Sequence, residues 1–223
     1  MIKMPFTIDQ FLEVFRAYNL GIFPMQVILY LLAIVAVYLA VKPNPTSDKA
    51  ISIILAFFWL WMGIIYHLLY FTEINKAAYL FGIVFIIQGI LLIIFGIIKS
   101  KLSFRFQADI YGITGISLIV FALFIYPILG YFLGHIYPAS PTFGLPCPTT
   151  IFTVGLLLLT TKRFPPGLLI IPFLWSVVGF MAAFQFGIVE DTSLLISGLT
   201  AVFLLLSRNK LDVRKTNSTQ ITD

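Results

Sequence analysis

The chain has 223 residues, of which 60% are hydrophobic and only 10% charged, with a mean hydropathy of +1.04. An ordinary water-soluble domain carries about 25% charged residues, so this composition excludes a soluble fold and points to a bundle of helices in a bilayer. The net charge of +5 is not read as nucleic-acid binding, because basic residues in a membrane chain first report topology. The lone cysteine excludes an intramolecular disulfide and the paired-cysteine metal motifs.

The opening MIKMPFTIDQFLEVFRAYN carries acids and has no small-residue cleavage site, so it does not read as a signal peptide. Within it, Thr7 and Gln10 have the spacing of a capping box, and Ile8, Phe11, Leu12 and Phe15 fall on one helical face. Residues 7–18 therefore read as an amphipathic helix lying in the interface. Seven apolar segments follow, at residues 21–41, 50–71, 77–98, 110–134, 147–161, 166–187 and 192–207. Residues 208–223 read as a polar cytoplasmic tail, and residues 1–207 as a single transmembrane domain. The predicted fold class is all-α: a polytopic bundle of seven spans.

With seven spans, Lys42, Lys49, Lys99, Lys101, Arg105, Lys162, Arg163, Arg208, Lys210, Arg214 and Lys215 share one side, against Lys3, Arg16 and Lys76 on the other. Basic connectors are retained in the cytoplasm, so the N-terminus is expected outside and the C-terminus inside. In the third span Gly82, Gly89 and Gly96 recur every seven residues, a smooth stripe for close helix approach. In the fourth, Gly130 and Gly134 form a small-residue pair near Pro127, which is expected to bend the helix.

No Asp, Glu, Lys or Arg falls in the middle of a span, which argues against a proton-coupled pump. The last span contains no lysine for a retinal Schiff base, and the DRY and NPxxY motifs are absent. The uncommon polar groups converge on the outer half. His67 lies near the outer end of span two, six residues before Glu73, and His135 ends span four. The connector PASPTFGLPCPTT is uncharged and rich in proline, so it is expected to tuck into the outer mouth of the bundle. Pro148 suits the first helical position, which makes Cys147 the expected N-cap with the helix dipole aimed at its thiol. Thr149 and Thr150 would add hydroxyls at the same helix end. Glu190 and Asp191 precede the last span, where a carboxylate suits a helix N-terminus. Each of these groups also has a plain packing role open to it: a single cysteine is commonly a small hydrophobe, and interfacial histidines commonly serve hydrogen bonding.

The stretches HIYPASPTFGLPCPTTIFTVG, MPFTIDQFLEVFRAYN and LWMGIIYHLLYFTEINKAAYLFG together resemble an uncharacterised family of bacterial integral membrane proteins known as a domain of unknown function. The resemblance extends over nearly the whole chain and implies a multi-pass protein of the bacterial inner membrane. It supplies no activity, cofactor or catalytic residue. The functional expectation is therefore built from the residues: an outer vestibule lined by His67, Glu73, His135, Cys147, Thr149 and Thr150, which binds or passes a small solute or metal ion from the extracytoplasmic side as a channel or facilitator. His67, His135 and Cys147 are the candidate metal ligands. Two alternatives stay open: a thiol-dependent membrane enzyme or redox component using Cys147, and a non-catalytic partner subunit that docks another membrane protein, or a second copy, through the glycine stripe and the interface helix.

Overall fold

The structure, a computed structural model, describes the backbone of residues 5–220 and the side chains of residues 5–209. Lys3, Lys210, Arg214 and Lys215 of the charge pattern lie outside the described side chains. The chain folds as α1 (Ile8–Gly21), α2 (Met25–Val41), α3 (Ser47–Glu73), α4 (Ala78–Ile98), α5 (Ile110–Phe132), α6 (Pro146–Leu158), α7 (Pro166–Phe186) and α8 (Thr192–Gln220), with a 3-10 turn at Val189–Asp191 before the last. Helix α8 runs beyond the expected boundary at residue 207. Among the described residues there are two isolated β-bridges and no strand.

Helix α1 begins where its sequence requires. Thr7 Oγ1 accepts the Gln10 amide at 3.3 Å while Gln10 Oε1 accepts the Thr7 amide at 2.9 Å, so two amides that a helix start leaves unpaired are satisfied. The buried stripe is Phe11, Val14, Phe15 and Tyr18, turned slightly from the face expected; Ile8 and Leu12 are half-buried. At the break before Met25 the chain bends by 85°, so α1 crosses the end of the bundle while α2 runs along it.

Five helices are long and apolar enough to cross a membrane, or six if the bent α1–α2 pair is counted as one span, which is the make-up of an integral membrane protein. This differs from the seven spans expected: α2, with 17 residues, counts only together with α1, and α6 falls short on its own. It has 13 residues, about 20 Å of helix against ~30 Å of hydrocarbon. Every residue in it except Cys147 is buried. It is a core helix sheathed mainly by α5 and α8. Elsewhere the apolar faces point outward: Leu31, Ile34, Ile83, Ile87, Leu174 and Phe203 are exposed large hydrophobics of the kind lipid covers.

Glycines set the close approaches. On α4, a Cβ added at Gly82 would stand 2.6 Å from Leu68 and 3.0 Å from the Gly63 carbonyl, and one at Gly89 would stand 3.1 Å from the Ala56 carbonyl, so the stripe seats α4 against α3. A second seam joins Gly115 of α5 to Gly155 of α6, where an added Cβ would meet the other's carbonyl at 2.7–2.8 Å. Gly134 belongs to no seam. It turns the chain at φ +93 with nothing within 4 Å, while its expected partner Gly130 leaves room for the Glu190 carboxylate. Before Pro127, which has no amide to donate, α5 loosens into a π-helical stretch at Phe121–Ile125.

The connectors gather at two ends. At one, Arg105 N donates to Leu159 O at 2.9 Å, Thr161 N to Ser103 O at 2.8 Å, and Phe106 N to Ala40 O at 2.9 Å. There Asp48 Oδ1 takes both the Phe104 amide and the Arg105 guanidinium, and Arg208 binds the carbonyl and hydroxyl of Thr160 while lying over the Tyr111 ring. At the opposite end, Tyr18 Oη donates to Gly144 O at 2.9 Å and Asn19 Nδ2 reaches Pro138 O at 2.7 Å and Ser140 O at 2.9 Å. These bonds fold the proline-rich connector against α1, and Pro141, Phe143, Gly144 and Leu145 are buried.

Candidate functional site

The six residues expected to line one vestibule have different fates. Glu73 is exposed at the end of α3. Thr149 is structural: its hydroxyl accepts the Gly144 amide at 3.0 Å and steadies the left-handed turn there, at φ +101. Thr150 is buried with no hydrogen bond to its hydroxyl. His67 is fully buried in an aromatic box, its ring centroid 4.5 Å from Phe85 and 5.1 Å from Trp175, and neither ring nitrogen has a hydrogen-bond partner among the described residues. His135 pairs through Nδ1 with Glu190 Oε1 at 2.6 Å. Cys147 alone of the six lines the cavity described below.

Cys147 is not the N-cap. Leu145 takes that place in an extended conformation, as the residue before a proline prefers, and Pro146 opens the helix. Either proline meets the local rule for a first helical residue; the buried turn at Gly144 selects Pro146. With prolines at 146 and 148 and the Thr149 amide bonded to Leu145 O, the first turn retains only the Cys147 amide as a free donor. A helix end with so few donors is a poor anion cradle.

The cavity has a volume of about 400 Å³ and lies between α1, the Glu73 end of α3, the start of α4, the proline-rich connector and α7. Its wall is mainly aromatic and aliphatic, with Phe11, Phe15, Tyr66, Phe71, Phe81 and Trp175 among the lining residues. Pro5, Ala77, Val178 and Met181 border it and are exposed, so its mouth opens between the start of α1, the α3–α4 turn and α7. Its polar end is formed by Cys147 and Asp191. The thiol has the Asp191 carboxyl and the Trp175 indole as polar neighbours. Gly179 keeps this corner open: a Cβ there would lie 3.6 Å from Cys147 Sγ and 3.8 Å from Trp175 Nε1.

The polar end belongs to an acidic pair, of which Asp191 lines the cavity and Glu190 does not. Asp191, 3% exposed, accepts a short hydrogen bond from Tyr126 Oη, and Glu190, 1% exposed, is held by His135. Neither Asp191 nor Tyr126 belonged to the expected vestibule. The signal for Asp191 was present, as an acid pair in a connector without a basic residue, yet it read as a helix-capping carboxylate. Tyr126 and Trp175 carry no signal, because an aromatic residue in an apolar run is ordinary. Among the described residues no group of three or more His, Cys, Asp or Glu side chains is placed to hold a metal ion, His67, His135 and Cys147 included.

The glycine stripe, expected as a possible docking face for a partner, is consumed by the α3–α4 seam inside the chain. Comparison with curated proteins and with solved structures gives no match. Over residues 8–216 the sequence matches a family of unknown function, DUF6064, and with nearly its whole length covered the chain belongs to that family.

Proposed function

We propose that this protein binds a small, mainly apolar molecule that enters from the bilayer, at the end of the bundle away from the basic connectors. The observation that carries the reading is the cavity of about 400 Å³, apolar over most of its wall, polar at Cys147 and Asp191, and open where Pro5, Ala77, Val178 and Met181 are exposed. Cavities of roughly 300–1,000 Å³ with few convergent polar groups are the usual form of small-molecule sites. A hydrated metal ion or a strongly polar solute would lose its water there without enough ligands in exchange. The gathering of Lys42, Lys49, Lys99, Lys101, Arg105, Lys162, Arg163 and Arg208 toward one end supports a seat in the bacterial inner membrane with that end cytoplasmic and the cavity extracytoplasmic. The thiol enzyme expected from the sequence would take a histidine as base, and neither His67 nor His135 has a ring nitrogen hydrogen-bonded to the thiol.

The test uses the single cysteine as a reporter. N-ethylmaleimide, applied at alkaline pH because the thiolate is the reactive form, should modify Cys147 in intact membranes, and Ala182→Trp, which fills the cavity near its mouth, should slow that reaction at least about tenfold. An unreactive Cys147, or an unchanged rate in the variant, overturns the reading.

A further inference from the structure

We infer that the ligand is a lipophilic cation. This rests on the cavity being a binding site for apolar molecules and names the charge it selects. Three observations converge on positive charge. The wall presents the rings of Phe11, Phe15, Tyr66, Phe71, Phe81 and Trp175, whose π faces carry negative potential and attract organic cations. The one acidic residue in the lining is Asp191, and no lysine, arginine or histidine stands beside it in the wall among the described residues.

The third observation is how the neighbouring charges are disposed. Glu190 is engaged by His135, whereas Asp191 is held by the Tyr126 hydroxyl and forms no salt bridge with a lysine or arginine among the described residues. A phenol is a neutral donor, so a cation entering the cavity would supply the countercharge that the Asp191 carboxyl lacks in the wall. In surroundings of low polarity that pairing acts over the whole cavity end. An anionic head, such as a fatty carboxylate or a lipid phosphate, would face Asp191 and find at the start of α6 only the Cys147 amide free in the first turn. A cation whose charge is spread over a bulky apolar body meets the carboxylate at one end and ring faces around the rest, and gives up little hydration on entry.

The experiment compares two probes of one shape and opposite charge, tetraphenylphosphonium and tetraphenylborate, binding to the full chain in phosphatidylcholine nanodiscs, with empty discs subtracted. The cation should bind saturably and at least about tenfold more tightly than the borate. Asp191→Asn keeps an oxygen to accept from Tyr126, turns the other into an amide donor and removes the acidic group, so it should weaken cation binding at least about tenfold and leave the borate no weaker. If the two probes bind equally, or the borate binds better, and Ala182→Trp blocks both, the cavity binds apolar molecules but the charge selection is overturned. If neither probe shows saturable binding sensitive to Ala182→Trp, both readings fall. The two-probe comparison on the unaltered protein decides the question even where Asp191→Asn does not accumulate.

Discussion

His135 and Glu190, 55 residues apart in the chain, meet with the imidazole Nδ1 2.6 Å from the carboxylate Oε1. The glutamate side chain is wholly buried and the histidine side chain 14% exposed, so the pair ties the connector after α5 to the turn before α8. Glu190 Oε2 has no other partner, which leaves His135 as the group that offsets the cost of burying this carboxylate. His135→Ala should therefore lower stability by about 3–5 kcal/mol, the range found when one member of a buried pair is removed. His135→Gln, which retains a donor, should cost less. Thermal unfolding in detergent measures both, and a His135→Ala protein as stable as the parent would show that the pair contributes nothing.

The α5–α6 seam gives a sharper steric test. At Gly155 an added Cβ would stand 2.8 Å from the Gly115 carbonyl oxygen and 2.8 Å from Ile119 Cγ1. A backbone oxygen cannot turn aside as a side-chain end can, so the two helices must part. Gly155→Ala should cost about 1–3 kcal/mol. Gly167 has nothing within 4 Å of its Cβ position, and there the same substitution should be neutral or stabilising by about 0.4–1 kcal/mol through the unfolded chain. Equal melting shifts for the two variants would refute the seam.

Trp59 is fully buried and its indole Nε1 donates to Thr153 Oγ1 at 3.1 Å, while that hydroxyl donates on to Thr149 O at 2.8 Å. Thr153→Val keeps the volume and strands the indole N–H, at a cost of about 1–3 kcal/mol. Thr153→Ser restores the acceptor and should recover most of that loss. Tryptophan fluorescence followed through denaturation reports the outcome, and a valine variant no weaker than the serine variant would assign this contact to packing alone.

Local features were readable from the sequence because their partners lie within a few residues of one another. The Thr7–Gln10 cap closes over three residues, and the apolar runs set the helices to within a few residues of their observed ends, apart from the far end of α8, where the helix runs on past the apolar run. The heptad of Gly82, Gly89 and Gly96 showed that α4 has a smooth face but not what covers it, since periodicity describes one helix and a seam needs two. The same limit hid Asp191. Its acceptor role toward Tyr126, 65 residues away, and its position on the cavity arise only when α5, α6 and α8 pack together.

The sequence by itself determined an all-helical chain with helices apolar enough for a bilayer, because the hydrophobic content and run lengths allow little else. It also marked the uncharged connector as one that folds back onto the bundle. Tertiary structure alone decided that α6 is a sheathed core helix, since a buried face and a lipid face are equally apolar and composition cannot separate them. Packing likewise chose among the candidate polar groups, taking Cys147 and Asp191 to the cavity, enclosing His67 among aromatic rings, and leaving Glu73 exposed.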